Sequence, residues 1–430
     1  MLFPLFEYLQ SINFPGAGMF QYISFRSATA VILSLLTVMI FGRKMIKMLK
    51  KRQIGEEIRD IGLEGHNKKK GTPTMGGIII IISILIPVLL FAKLSNIYII
   101  LMIITTVWLG FIGFLDDYIK VLKKKKKGLA GRFKIIGQVA LGLTVGITLY
   151  MSDDAKVRIK IPVKTEHTII YDAEFLNIND EKTKHTTEDV KDPITNLPFF
   201  KESQFNYSKL VGFLGENAKN WGWLVFVIVA IFIITAVSNG ANLTDGLDGL
   251  TTGVSAIIGA TLGIFAYLSG HILYADYLNI MYIPFSEELV VFMSAFIGAL
   301  VGFLWYNSNP AQVFMGDTGS LTIGGIIAVF AILVRVELLL PVLCGIFLVE
   351  SVSVMWQKGW YKLSRRIYGS PRRVFECAPL HHHYEKKSIQ AQTPVFFKRK
   401  MPIDEQKIVV RFWIISIILA VITVLTLKVR

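Results

Sequence analysis

Asp245 and Asp248 stand three positions apart in Asn239-Gly-Ala-Asn-Leu-Thr-Asp-Gly-Leu-Asp-Gly249. If the stretch winds into the following helix, both carboxylates turn to one side. Asn239 and Asn242 add two amides, and long apolar runs border the stretch at 221–237 and 250–268. Carboxylates beside apolar helices are costly unless something positive binds them. The stretch lacks the alternating ligands and terminal glutamate of an EF-hand, which argues against a calcium loop.

Four other polar clusters invite the same question. Phe114-Leu115-Asp116-Asp117-Tyr118 puts two acids side by side. They repel each other and, at a helix C-terminus, oppose the macrodipole. The lysines that follow, a metal ion or a cationic partner would relieve them. Asn307-Ser-Asn-Pro-Ala-Gln-Val-Phe314-Met-Gly-Asp317-Thr-Gly-Ser320 sets Asp317 among glycines that permit close approach of a ligand. An N-cap is the other reading of Asp317. Lys68-Lys69-Lys70-Gly-Thr-Pro-Thr74-Met-Gly-Gly77 carries lysines, hydroxyls and glycines into a helix start, which suits phosphate. It lacks P-loop spacing, and a basic membrane-entry turn has the same letters. Pro379-Leu-His381-His382-His383-Tyr-Glu385 has three consecutive imidazoles that cannot share one helical face, so a three-histidine zinc site is not expected. They suit hydrogen bonds to pyrophosphate, sugar or lipid phosphate beside Arg365, Arg366, Arg372 and Arg373; a solvated loop is the plainer alternative.

These clusters need elements to hold them. Of 430 residues, 53% are hydrophobic and only 18% are charged, with mean hydropathy +0.53. Ten apolar runs, at 28–48, 77–94, 97–115, 135–151, 221–237, 250–268, 289–306, 319–334, 338–356 and 408–427, each approach the length that crosses a bilayer. The expected fold is therefore an all-α polytopic membrane protein of about ten transmembrane helices. The first Lys or Arg is Arg26, so no basic leader is expected and the first span stays. Cys344 and Cys377 offer neither a disulfide framework nor a zinc site.

Net charge is +15, and 30 of the 46 Lys and Arg residues lie in 43–70, 120–134 and 358–407. All three loops follow odd-numbered spans, so one orientation satisfies them: both termini outside and the odd-to-even loops in the cytoplasm. The basic excess sets topology and attracts anionic lipid, and no nucleic-acid partner is expected. All five polar clusters then share the cytoplasmic face. Loops on the other face are short except 152–220, where Val157-Arg-Ile-Lys-Ile-Pro-Val-Lys164 alternates as a strand does. A small β-rich extracytoplasmic insertion is expected there, dividing the chain into 1–151, 152–220 and 221–430. Carboxylates from several loops gripping Mg²⁺ against a diphosphate would serve phosphoryl transfer.

Gly-Thr-Pro-Thr-Met-Gly-Gly at 71–77, Phe-Leu-Asp-Asp at 114–117, Asn-Leu-Thr-Asp-Gly-Leu-Asp-Gly at 242–249, Phe-Met-Gly-Asp at 314–317 and His-His-His-Tyr-Glu at 381–385 resemble the phospho-N-acetylmuramoyl-pentapeptide transferases of bacterial cell-wall synthesis. The resemblance spans most of the chain in order; the insertion departs from it. It implies a multi-pass protein of the bacterial cytoplasmic membrane whose active site faces the cytoplasm. Undecaprenyl phosphate would attack the β-phosphate of UDP-N-acetylmuramoyl-pentapeptide, giving lipid I and UMP. It implies Asp317 as Mg²⁺ ligand, Asp116 and Asp117 acting on the lipid phosphate or metal, and His381 in catalysis. Lys69, Thr74, Asn242, Asp245, Asp248, Asn307, Phe314, His382 and His383 would line the substrate region. A homodimer is the assembly it implies. A relative transferring N-acetylhexosamine-1-phosphate is the nearest rival. An ion-coupled transporter, using intramembrane acids such as Glu350, is the rival from another class.

Overall fold

A computed structural model describes residues 3–51, 71–121, 123, 128–162, 185–197, 204–278, 280–385, 394–398 and 401–427. The helices are α1 (Phe3–Ser11), α2 (Ile23–Lys51), α3 (Gly77–Phe91), α4 (Ile97–Val121), α5 (Gly131–Met151), α6 (Ala218–Thr244) and α7 (Leu250–Ser269). They continue with α8 (Ile272–Tyr277), α9 (Glu288–Asn307), α10 (Gly316–Leu333), α11 (Leu340–Leu343), α12 (Gly345–Tyr368), α13 (Leu380–Tyr384) and α14 (Glu405–Leu425).

Eight of the described helices are long and apolar enough to cross a membrane, and Glu337–Leu343 with Gly345–Tyr368 makes a ninth span bent by 75°. All ten expected runs are thus helical, and two of them depart from a simple span. The ninth run is broken at Cys344 rather than straight. The second run forms only the 15-residue α3, about 22 Å long at 1.5 Å per residue and short of the hydrocarbon thickness. It begins at Gly77 as expected, with Gly76 and Gly77 N–H donating to the carbonyls of Phe314 and Met315, and is short because it stops at Phe91, where Ala92 turns to extended backbone.

α10 is the axis of the bundle. Every residue from Thr318 to Leu333 is buried, and helices α3, α4, α6 and α7 pack around it. Small residues let the backbones meet. A Cβ on Gly113 of α4 would lie 2.3 Å from the Asp317 carbonyl oxygen, and one on Gly77 would lie 2.1 Å from the Gly319 nitrogen. With no side chain between them, the ends of α3 and α4 are pressed against the start of α10.

The other end of α10 is about 27 Å away for its 18 residues. There the described parts of the 152–220 segment pack onto the bundle. β1 (Val157–Pro162) pairs antiparallel with β2 (His185–Val190), and β3 (Ile194–Asn196) pairs with β4 (Gln204–Asn206). The strand expected at 157–164 is thus present as β1 through Pro162; the rest of it lies outside the described residues. Arg335 takes a positive φ of 57°, and its carbonyl accepts from Asn196 N, Asn196 Nδ2 and Thr195 Oγ1. Its guanidinium lies over the Phe226 and Trp223 rings, while Tyr207 donates to Glu337 at 3.1 Å. The segment is bolted to the bundle by buried polar contacts. Tyr207→Phe leaves a buried carboxylate oxygen without its donor, so stability should fall by about 1–2 kcal/mol, read as a lower thermal midpoint in detergent with unchanged turnover.

Candidate active site

Asp116 and Asp117 sit one helical turn before the end of α4, and Asp317 is in the first turn of α10. The Gly113 contact sets their register. Asp117 caps α10 from outside its own helix: Oδ1 accepts from Asp317 N–H at 3.1 Å, and Oδ2 accepts from Thr318 N–H at 2.9 Å and Thr318 Oγ1 at 2.6 Å. Free amides at a helix start favour an anion there. Asp117 is therefore the joint between the two helices.

Asp116 points the other way. Its Oδ1 accepts from Leu129 N–H at 2.6 Å. Its Oδ2 faces Lys120 Nζ at 2.5 Å and Lys134 Nζ at 3.1 Å. Asp317 Oδ2 meets the same two ammonium groups, Lys120 at 3.1 Å and Lys134 in direct contact. Asp317 Oδ1 accepts from Asn242 Nδ2 at 3.0 Å, and the same nitrogen donates to Ser320 Oγ at 2.8 Å. Behind them Gln138 donates to Ser238 and accepts from Asn239, locking α5 to α6 one turn beyond Lys134.

Three carboxylates from two helices thus offer oxygens that all lie within 4.8 Å of one another. Oxygen donors packed this closely suit a hard divalent cation. Three carboxylates stand against two ammonium groups here, an excess of acid that leaves room for a cation.

The loops around this group hold one another in place. Asn307 Oδ1 accepts from Gly249 N–H and Thr252 Oγ1, while its amide donates to the Val313 carbonyl. Asp248 Oδ2 accepts from Asn309 Nδ2 and Ala311 N–H. Asn307 and Asp248 therefore join the 239–249 and 307–315 loops. Phe314 is tied by its backbone to Pro73 and Gly76, and a Cβ on Gly316 would meet both Thr74 Oγ1 at 2.9 Å and Asp117 Oδ2 at 2.6 Å. Thr74 thus lies beside the carboxylates. Asp245 is half-buried at the end of α6. Lys69 lies outside the described residues.

The three histidines divide. His381 and His382 aim their Nε2 atoms at Gly246, where an added Cβ would lie 2.2 Å and 3.1 Å from them. His382 Nδ1 lies 2.9 Å from Glu385. His383 turns away: it accepts from Glu376 N–H and stacks edge-on against Phe375 of β5 (Arg373–Phe375), which pairs in parallel with β6 (Val395–Phe397). Burial holds His381 below the ordinary imidazole pKa, against the opposing pull of Glu350.

Lys120 and Lys134 are the members that sequence reasoning absorbed into a topology-setting lysine tract. Helical spacing was the missed signal, since Lys120 is four residues after Asp116 on one helix. Lys134, in the first turn of α5, carried no such local cue.

The comparisons with known proteins agree with this geometry. Residues 69–81 match signature 1 of the phospho-N-acetylmuramoyl-pentapeptide-transferases, and residues 194–335 match glycosyl transferase family 4. Proteins named phospho-N-acetylmuramoyl-pentapeptide-transferase from Parabacteroides distasonis and Bacteroides thetaiotaomicron are each 57% identical to this chain, over 100% of both chains in each pair. The chain belongs to the phospho-N-acetylmuramoyl-pentapeptide-transferase family. A third relative of that name, from Phocaeicola vulgatus, is 56% identical, again across the whole of both chains. Because coverage is complete, 152–220 is not an addition peculiar to this chain. Family membership and the candidate spans make this a multi-pass bacterial membrane protein.

Proposed function

We propose that this chain transfers phospho-N-acetylmuramoyl-pentapeptide from its UDP-linked precursor to undecaprenyl phosphate, forming lipid I and UMP for peptidoglycan synthesis at the cytoplasmic face of the membrane. The observation that carries the reading is the group of Asp116, Asp117 and Asp317, braced by Lys120 and Lys134, in a chain 57% identical along its whole length to a transferase of that name. The same identity favours the muramoyl substrate over the hexosamine relative. Carboxylates gathered at one end of the bundle, rather than midway along it, count against a transporter.

The group at 116, 117 and 317 suits Mg²⁺, which when bound supplies charge neutralisation and orientation to the diphosphate. The rest falls to the chain. A lipid phosphate has its second pKa near 6 and is already a nucleophile at cytoplasmic pH; it needs placing more than deprotonating. Lys120 and Lys134 offset the charge of two approaching phosphates. Asp116, facing both ammonium groups, orients the lipid phosphate through them. A lipid phosphate oxygen forms a bond to the β-phosphorus as the bond to the bridging oxygen breaks, and UMP leaves with that oxygen. Asp117 is committed to three hydrogen bonds from the start of α10, which favours this single displacement over a phospho-aspartate route.

Asn242, Thr74, Phe314, Asp245 and Lys69 belong to the nucleotide and diphosphate side, with Asp248 and Asn307 holding its loops and His381 and His382 facing it. His383 supports the histidine turn. We carry a homodimer within the proposal, to be read from native mass in detergent. The direct test is lipid I formation from the UDP-precursor and undecaprenyl phosphate. Chelation by EDTA should abolish product and added Mg²⁺ should restore it, whereas turnover that survives chelation, or use of UDP-N-acetylglucosamine in place of the precursor, would refute the reading.

A further inference from the structure

Glu350 lies on α12 and is fully buried. A carboxylate in such surroundings is costly unless it is paired and hydrogen-bonded. The partners the structure gives it belong to one residue. His381 N–H donates to Oε1 at 3.1 Å and to Oε2 at 3.4 Å, and His381 Nδ1 lies 3.2 Å from Oε2. The imidazole is itself fully buried, and neither ring nitrogen has a hydrogen bond of good geometry among the described residues: Nδ1 has the Glu350 carboxylate 3.2 Å away, and Nε2 has only Gly246 beside it. That atom faces Gly246, between Asp245 and Asp248, where only a glycine leaves room for the ring.

We propose that Glu350 is a positioning residue that holds His381 as the Nδ1-protonated neutral tautomer, so that Nε2 presents a lone pair to the 245–249 loop and accepts from an N–H or O–H of the bound UDP-precursor. The inference rests on His381 belonging to the site. The two ring nitrogens of a neutral imidazole have opposite roles, and a carboxylate at one assigns the other. A phosphate oxygen is an acceptor and would be repelled by a bare Nε2. His381 thus reads a donor on the precursor and does not bind its phosphates, which narrows the sequence-level expectation that the histidines bind pyrophosphate. The carboxylate anchors the first amide of α13 and orients the ring above it, two tasks that one variant can separate. Glutamine keeps an oxygen for the amide and loses the charge that selects the tautomer.

The experiment uses the full chain in detergent with both substrates and compares Glu350→Gln, His381→Gln and the double variant. Glu350→Gln should lower kcat about 10–100-fold, the usual scale for losing the partner that orients a functional histidine, with an unchanged melting temperature. The double variant should be no worse than His381→Gln alone, because both changes act through one ring. In ¹⁵N-histidine-labelled protein, with His381→Gln used to identify the resonance, wild type should show Nδ1 protonated and Nε2 bare, and Glu350→Gln should lose that preference. Wild-type kcat in Glu350→Gln beside an inactive His381→Gln would overturn the inference and leave His381 in the site. Full activity of His381→Gln would instead overturn the underlying assignment of His381. Losses that multiply in the double variant would also overturn it. Should Glu350→Gln fail to fold, the wild-type spectrum decides, since an Nε2-protonated His381 is incompatible with the proposal.

Discussion

Asp317→Asn should lower lipid I formation by about three orders of magnitude, roughly 4 kcal/mol of transition-state stabilisation, in a protein that still elutes as a folded species. The side chain keeps its shape but loses its charge. Asp317 is the one acid of the three that touches both lysines and the Asn242 amide. Its Oδ2 holds Lys120 and Lys134 toward Asp116, and an uncharged amide would loosen both. The cluster loses its excess of acid over the two lysines, so the Mg²⁺ concentration needed for half-maximal activity should also rise. That shift separates the loss of a metal ligand from general damage. Turnover and Mg²⁺ dependence both at wild-type levels would remove Asp317 from the centre of the site.

Legibility in the sequence followed how local each signal was. The spans were readable because an apolar run announces itself, and the basic loops fixed a common face for five clusters. The geometry at that face is as anticipated in one respect: the 114–117, 239–249 and 307–320 stretches meet through Asp117, Asn242 and Asp317. The apolar run through Leu94 gave no warning that α3 would stop at Phe91, where Ala92 turns to extended backbone. Nor could spacing separate the histidines. His383 is drawn off by Phe375 and the Glu376 amide, contacts set by a turn of the same loop. Lys134 was hidden for a related reason: one lysine among many becomes special only when α5 brings it beside α10. Asp117 and Asp116 are neighbours of one chemical type, yet one joins helices and the other faces lysines. Helical rotation of about 100° per residue decides between them, and only the packing says which way each points.

Gly113→Ala should cost both turnover and stability, although it adds a single methyl group. The new carbon would lie 2.3 Å from the Asp317 carbonyl oxygen and 2.6 Å from the Thr318 Cα. Both obstacles are backbone, so no rotamer change relieves them, and α4 must move away from α10. The three hydrogen bonds that Asp117 accepts span 2.6–3.1 Å, and separation by about 1 Å would break them. Overpacking of this kind costs about 1–3 kcal/mol, and each broken bond to the carboxylate adds to it. Misplacing a catalytic group by about 1 Å can cost 10²-fold in rate, so turnover should drop by about that factor together with the melting temperature. Gly359→Ala is the control: it is also helical, but nothing lies within 4 Å of its added carbon, and alanine should be neutral or slightly stabilising there. Wild-type activity in Gly113→Ala would mean that the apposition of α4 and α10 is not what aligns the carboxylates. A loss shared equally by Gly359→Ala would mean the same, because only the first of the two glycines stands where two backbones touch.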